Sequence, residues 1–128
     1  MATSGERYDH PNHVVRREVH VNNLTGVAST AMQRVLFFQK TRIKAVHSLV
    51  ITAGTNAAAG VDLLNGTTSV GAITHGTDAA GSINTSGAID SDISANGYLE
   101  IKGKANSATM VNSYSIECEV LPDSVKTV

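Results

Sequence analysis

Apolar and polar residues alternate with a period of two in several segments of the chain. From Tyr114 onward the even positions are apolar and the odd positions polar. Because successive side chains of a strand point to opposite faces, this pattern predicts a strand with one buried face, and it places Cys118 there as a small core residue. Residues 97–103 repeat the pattern, with Leu99 and Ile101 on one face.

A longer strand is predicted from Thr41 to Ala53. Its odd-numbered apolar residues are in phase with one another, and His47 falls among them. This phase predicts that His47 is a hydrogen-bonded core or interface residue rather than a catalytic base. The apolar residues of that phase are Ile43, Ala45, Leu49 and Ile51.

The first third of the chain predicts an edge strand followed by an ambiguous segment. Val15 and Val19 belong to an apolar phase that Arg17 interrupts, which is typical of a strand at a sheet edge or under a partner. For residues 28–33 a helical turn is an alternative to a strand. Residues 35–38 are short, rich in strand formers and lead directly into the next strand, which favours a strand there.

Turn signals separate these segments. Asn65-Gly66 is the strongest hairpin signal, because both residues tolerate a positive φ, and a second turn is marked at Asn96-Gly97. Roughly seven short strands, with turns about every 8–12 residues, predict an all-β fold: one antiparallel β-sandwich or small barrel. We assign residues 13–128 to this domain and residues 1–12 to a polar N-terminal arm.

Composition excludes several classes of function. Five of the 128 residues are aromatic and Trp is absent, so the chain lacks the usual surface for stacking bases, sugars or flat cofactors. A net charge of -1 argues against a nucleic-acid partner held by phosphate neutralisation. The single cysteine excludes an intrachain disulfide. No segment approaches the ~20 apolar residues that cross a bilayer, and no signal peptide is recognised, so we expect no membrane partner.

Charge is distributed unevenly along the sequence. Residues 1–44 hold 7 Lys and Arg against 3 Asp and Glu, whereas residues 45–128 hold 3 against 8. This asymmetry would let neighbouring copies, or a partner, meet through complementary charge. The basic residues of the first part form what we call the basic cluster, which is either a solvated face of two strands or a surface that docks on an acidic protein. Its members are Arg16, Arg17, Arg34, Lys40, Arg42 and Lys44.

The histidines do not form a recognisable catalytic or metal-binding motif. His10 and His13, with His20 as a third ligand, could be a metal set, but no acidic or cysteine ligand follows at a diagnostic spacing. We therefore interpret them as solvated or interface histidines. His75 lies in a loop without a recognisable partner. With no nucleophile and base brought together, we predict a non-enzymatic protein without a cofactor.

A calcium loop is suggested by Asp90 and Asp92, but its register fails. With Asp90 first, position six is Ala95 instead of glycine. With Asp92 first, position twelve is Gly103 instead of a bidentate glutamate. A polar turn leading into the next strand is the favoured interpretation, and no metal site is assigned.

Six features follow one another along the chain: a polar arm, an opening strand at 13–21, a central strand ending in Val50-Ile-Thr-Ala-Gly-Thr55, a strand turning at Asn65-Gly66-Thr67, a small-residue region at 69–96, and closing strands at 97–101 and 115–122. This layout resembles the small decoration (cement) proteins of tailed-phage capsids. The resemblance covers most of the chain and is one of pattern, without a single diagnostic motif.

The resemblance implies a viral structural protein, made in the host cytoplasm, that binds the exterior of the virion. Such subunits, often trimers, bind the major capsid protein at local threefold positions and staple adjacent capsomers. The candidate partner-binding residues here are Tyr8, His10, His13, Arg16 and Arg17.

A receptor- or glycan-binding module of a phage fibre or adhesin is the alternative. It predicts a concave site with exposed aromatic residues, for which the chain offers Tyr8 and Tyr98. No set of candidate catalytic residues supports a small hydrolase or isomerase.

Overall fold

The structure, a computed structural model, describes residues 15–121. Over this range the chain forms two antiparallel sheets packed face to face, with no α-helix. The predicted β-sandwich is confirmed, and the sheets do not close into a barrel. The strands are β1 (Val15–Thr25), β2 (Ala31–Phe37), β3 (Thr41–Thr52), β4 (Gly60–Asn65), β5 (Thr68–Thr74), β6 (Ile83–Thr85), β7 (Ser91–Ile93), β8 (Gly97–Gly103) and β9 (Val111–Val120). Between residues 15 and 121 there is no helix that could span a membrane.

Sheet I has the order β1-β9-β3-β6, with β7 also paired to β3, and sheet II has the order β2-β8-β4-β5. The prediction of an edge strand from Arg17 is confirmed, since β1 pairs on one side with β9 and forms an edge of sheet I. Val15 at the start of β1 lies opposite Val120 at the end of β9. The two ends of the described chain therefore share one corner of the sandwich.

The core lies between the two sheets and follows the predicted phases of β8 and β9. Leu99 and Ile101 from β8 are completely buried, and so are Ile116 and, nearly, Cys118 from β9. Burying one such aliphatic side chain contributes about 1.5–3 kcal/mol, so this shared core is the main force that holds the sheets together.

The predicted phase of β3 is wrong over most of its length. Its pairing with β9 shifts between Ile43 and Ala45, a β-bulge that inserts one extra residue and reverses the face of the side chains that follow, up to a second register shift between Val50 and Thr52. Val46 and Val50 consequently face the core, whereas His47 and Leu49 lie on the outer face and Ile51 is exposed; Ile43 and Ala45, before and at the shift, are buried as predicted. His47 is therefore not a core residue.

The backbone conformation decides two other local predictions, the helical turn near residues 28–33 and the hairpin at Asn65-Gly66. The helical turn left open near residues 28–33 is not formed: residues 28–30 make a turn in which Ser29 has a φ of 54°, and β2 begins at Ala31. The predicted hairpin is confirmed with a shift of one residue. Asn65 pairs with Thr68, so the loop is Gly66-Thr67, and Gly66 supplies the positive φ of 64°.

Candidate interaction surfaces

The structure describes two of the five residues expected to bind a partner. Tyr8, His10 and His13 lie outside the described residues. Arg16 and Arg17 are exposed at the start of edge strand β1. The Nε atom of Arg16 lies 3.6 Å from Oε2 of Glu119 on β9. Both arginines are therefore accessible, but the charge of Arg16 already has an acidic neighbour.

Most of the basic cluster is paired with carboxylates from the acidic part of the sequence. Besides Arg16, three of its six members make short ion pairs: Arg34 with Glu100 at 2.9 Å, Arg42 with Asp92 at 2.7 Å and Lys44 with Asp90 at 2.6 Å. The hydrogen bond to the carboxylate in each pair raises the pKa of the basic group above its ordinary value. The charge complementarity seen in the sequence is thus largely satisfied within one chain.

The two aspartates of the calcium-like segment are used in this pairing. Both carboxylate oxygens of Asp92 accept hydrogen bonds from Arg42, at 2.7 and 3.3 Å, and these bonds lower the pKa of Asp92. Asp90 faces Lys44. Within residues 15–121, no three His, Cys, Asp or Glu side chains are grouped so that they could hold a metal ion. The predicted polar turn is confirmed only at residues 95–96, because Asp92 lies within β7, which pairs with β3.

A groove of about 370 Å³ lies on the outer face of sheet I. The β3 bulge creates its apolar part, because it turns Leu49 outward, where 41% of the residue is exposed. Ile83 on the short strand β6 lies beside it and is 75% exposed. We call this surface the sheet I groove; its outward-facing residues are His20, Asn22, His47, Leu49, Ile83, Ser113 and Ser115.

Two histidine–glutamate pairs lie along one side of the sheet I groove. His20 Nε2 is 3.3 Å from Glu18, and His47 Nε2 is 3.4 Å from Glu117. Glu18 and Glu117 are direct cross-strand neighbours, an arrangement of like charges that is unfavourable on its own. The imidazoles supply polar neighbours to both carboxylates, and the groove therefore combines the apolar side chains of Leu49 and Ile83 with polar side chains beside them.

A second apolar surface lies on the opposite side of the sandwich, at the edge of sheet II. Leu36 is 66% exposed and Phe38, directly after β2, is 78% exposed. Leu36 lies opposite Tyr98, and the guanidinium of Arg34 sits 5.2 Å from the centre of the Tyr98 ring. We call Arg34, Leu36, Phe38 and Tyr98 the sheet II patch. Arginine and aromatic residues of this kind are enriched where proteins contact one another.

Sequence reasoning missed both apolar surfaces, although one left a signal. Residues 35–38 are four consecutive apolar residues in a strand, and a period of two forces half of them outward. This run could have identified Leu36 and Phe38. Ile83 gave no comparable signal, because its strand has three residues and lies in a region of small residues.

Four of the buried polar residues lie near one another, and we call them the polar core cluster: Ser48, His75, Asn112 and Tyr114, each at most 2% exposed. His75, for which the sequence offered no partner, packs edge-on against Tyr114 with ring centres 5.7 Å apart. Burial lowers the pKa of His75 to about 4 and raises the pKa of Tyr114. Both side chains are consequently uncharged at neutral pH.

No protein-family model matches the chain, and no curated protein sequence matches it. Among solved structures, a chain of the Bacillus endospore appendages, described as a novel family of disulfide-linked pili, is similar at 15% identity over 88% of this chain and 91% of that chain, with a TM-score of 0.48. A chain of the cyanophage Pam1 capsid asymmetric unit is similar at 12% identity over 87% of this chain and 86% of that one, with a TM-score of 0.47. At these values neither likeness supports a statement about function.

Proposed function

We propose that this protein is a non-enzymatic structural subunit that decorates the exterior of an icosahedral phage head. The observation that carries the proposal is the exposure of large apolar side chains on both outer faces of the sandwich. Leu36 and Phe38 are exposed beside sheet II, and Ile83 is exposed on sheet I. Apolar surface of this kind is typical of protein contact sites. A subunit with one contact surface on each side can touch two neighbours, as stapling of adjacent capsomers requires.

The proposed partner is the major capsid protein, and the protein binds it as a trimer. The resemblance in sequence layout supports this choice of partner. Each contact can be modest, because many copies bind a repeated lattice and a trimer engages several sites together. Binding that selects the expanded shell would stabilise that state by mass action.

The glycan-binding alternative is less well supported by the geometry. A sugar needs the open face of an aromatic ring, and the guanidinium of Arg34 lies over the ring of Tyr98. Arg34 is itself held by Glu100 at 2.9 Å. Within residues 15–121 Phe38 is the one exposed aromatic residue, since Tyr98 is half-buried.

Cosedimentation with expanded, undecorated shells of the same phage tests the proposal. We expect the wild-type protein to sediment with the shells, and Phe38→Ser and Ile83→Ser to weaken its apparent affinity about tenfold each, because each removes a large apolar contact. Val27→Ser is the matched control: Val27 is also apolar and 46% exposed, but lies in the loop between β1 and β2. Its affinity is expected to stay unchanged.

Two results would contradict the proposal. Unchanged binding of both Phe38→Ser and Ile83→Ser would show that the two apolar surfaces do not carry the contact. A wild-type protein that ignores the shells but is retained by an immobilised glycan would favour the alternative function.

A further inference from the structure

The polar core cluster contains polar atoms that the described chain leaves without partners. Six of its side-chain atoms are buried and make no hydrogen bond to any residue from 15 to 121. They are Ser48 Oγ, both ring nitrogens of His75, both amide atoms of Asn112 and the Tyr114 hydroxyl.

These residues occupy one region that joins the two sheets. Ser48 on β3 lies opposite Tyr114 on β9, and Asn112 lies two residues before Tyr114 on the same inner face of sheet I. His75 follows β5 of sheet II, and its ring meets the Tyr114 ring at 5.7 Å and 65°. The four polar side chains therefore form a cluster across the sandwich.

The number of atoms indicates that something other than residues 15–121 must pair with them. A buried donor or acceptor left unpaired lowers the folding equilibrium constant by roughly 5- to 150-fold. Even at the lower value of about fivefold per atom, six unpaired atoms would lower the folding equilibrium constant about 10⁴-fold. This factor is comparable with the whole folding constant of a marginally stable domain. A stable sandwich therefore requires partners for most of these atoms.

The chemistry of the cluster selects the ligand. Hydroxyl, amide and neutral imidazole groups both donate and accept hydrogen bonds. None of them is charged at neutral pH, because burial lowers the pKa of His75 to about 4 and raises that of Tyr114. An ion would find no opposite charge in this cluster. Water, which also donates and accepts, matches it.

We infer that the polar core cluster is an internal water-binding site. A buried water makes about three hydrogen bonds, so six atoms require at least two ordered waters. His75 also borders a shallow surface depression of about 230 Å³, together with Ala57, Thr74, Gly76, Thr77 and Asp78, which places the cluster next to bulk solvent. The inference is independent of the proposed role on a capsid.

The sign of the stability change in Tyr114→Phe tests the site. If water pairs with the hydroxyl, removing it loses hydrogen bonds, and we expect the unfolding equilibrium constant in urea to rise about two- to tenfold. If the hydroxyl is dry and unpaired, removing it relieves a desolvation penalty and the constant falls. Tyr98→Phe is the matched control, because Tyr98 is partly exposed, and its unfolding constant is expected to stay within about twofold of wild type.

Ser48→Ala provides a second variant in case Tyr114→Phe fails to fold, and it is expected to raise the unfolding constant in the same way. A crystal structure of the wild-type protein that resolves ordered water gives the direct readout. Density for water within hydrogen-bonding distance of Asn112 and Tyr114 would support the site. A dry cluster, or a variant more stable than wild type, would overturn it.

Discussion

Burial of His75 links the stability of the domain to pH at the scale of one residue. The folded state holds the pKa of His75 at about 4, below its ordinary value of 6.5. Between these two values the unfolded chain takes up a proton that the folded chain does not. The free energy of unfolding therefore falls as the pH falls through this window, and the stability is fully present above pH 6.5.

We expect the free energy of unfolding to decrease by at most about 2 kcal/mol between pH 7 and pH 5 because of His75. Urea denaturation at the two pH values measures the decrease. His75→Gln is expected to remove this part of the pH dependence, and His47→Gln, on the exposed outer face, to retain it. A wild-type pH dependence in His75→Gln would show that another group is responsible.

At the scale of the element, the alternation of apolar and polar residues predicted β8 and β9 together with their buried faces. The prediction succeeded because the core-facing residues of each strand keep one phase along the alternating segment. The same rule gave the wrong face for β3. The odd phase offers Ile43 and Ala45 to the core and the even phase offers Val46 and Val50, so a one-residue bulge between them leaves no clear signature in the sequence. Pairing with β9 decides the phase, and pairing partners are not written in a local pattern.

Neighbouring residues of β3 test this bulge. Val50 is 2% exposed and Ile51 is 41% exposed, whereas the phase read from the sequence has Ile51 in the core. We expect Val50→Ala to reduce the free energy of unfolding by about 2 kcal/mol, since it leaves a cavity, and Ile51→Ala to reduce it by less than about 1 kcal/mol. Chemical denaturation of both variants measures the difference. The opposite order would mean that the strand has no bulge.

The candidate surfaces were less predictable than the strands. A binding surface on a sandwich is assembled from residues of several strands, so its members are far apart in the sequence. The sheet I groove joins Asn22 of β1, Leu49 of β3, Ile83 of β6 and Ser113 of β9. Leu36 and Phe38, by contrast, lie in one short segment, and the apolar run at 35–38 could have predicted their exposure.

At the scale of the whole molecule, the ion pairs bear on whether the protein binds a shell through its apolar surfaces or through its basic residues. Arg34, Arg42 and Lys44 are engaged within the chain, which leaves the apolar surfaces as the principal contacts. Salt screens exposed charges strongly at high ionic strength, whereas it does not weaken apolar contacts. We expect cosedimentation with shells to be nearly the same in 0.05 M and 0.5 M sodium chloride. A loss of binding at the higher concentration would instead indicate that basic residues dock on an acidic partner.

The shared corner at Val15 and Val120 has a consequence for how the fold is encoded. Directly opposite residues of adjacent antiparallel strands lie about 5 Å apart, so a short glycine linker would bridge them. A gene that starts after the Gly66-Thr67 turn, joins Val120 to Val15 through such a linker and leaves out residues 1–14 and 121–128 would specify the same pair of sheets. The order in which the ribosome delivers the strands is therefore separable from the way in which they pack.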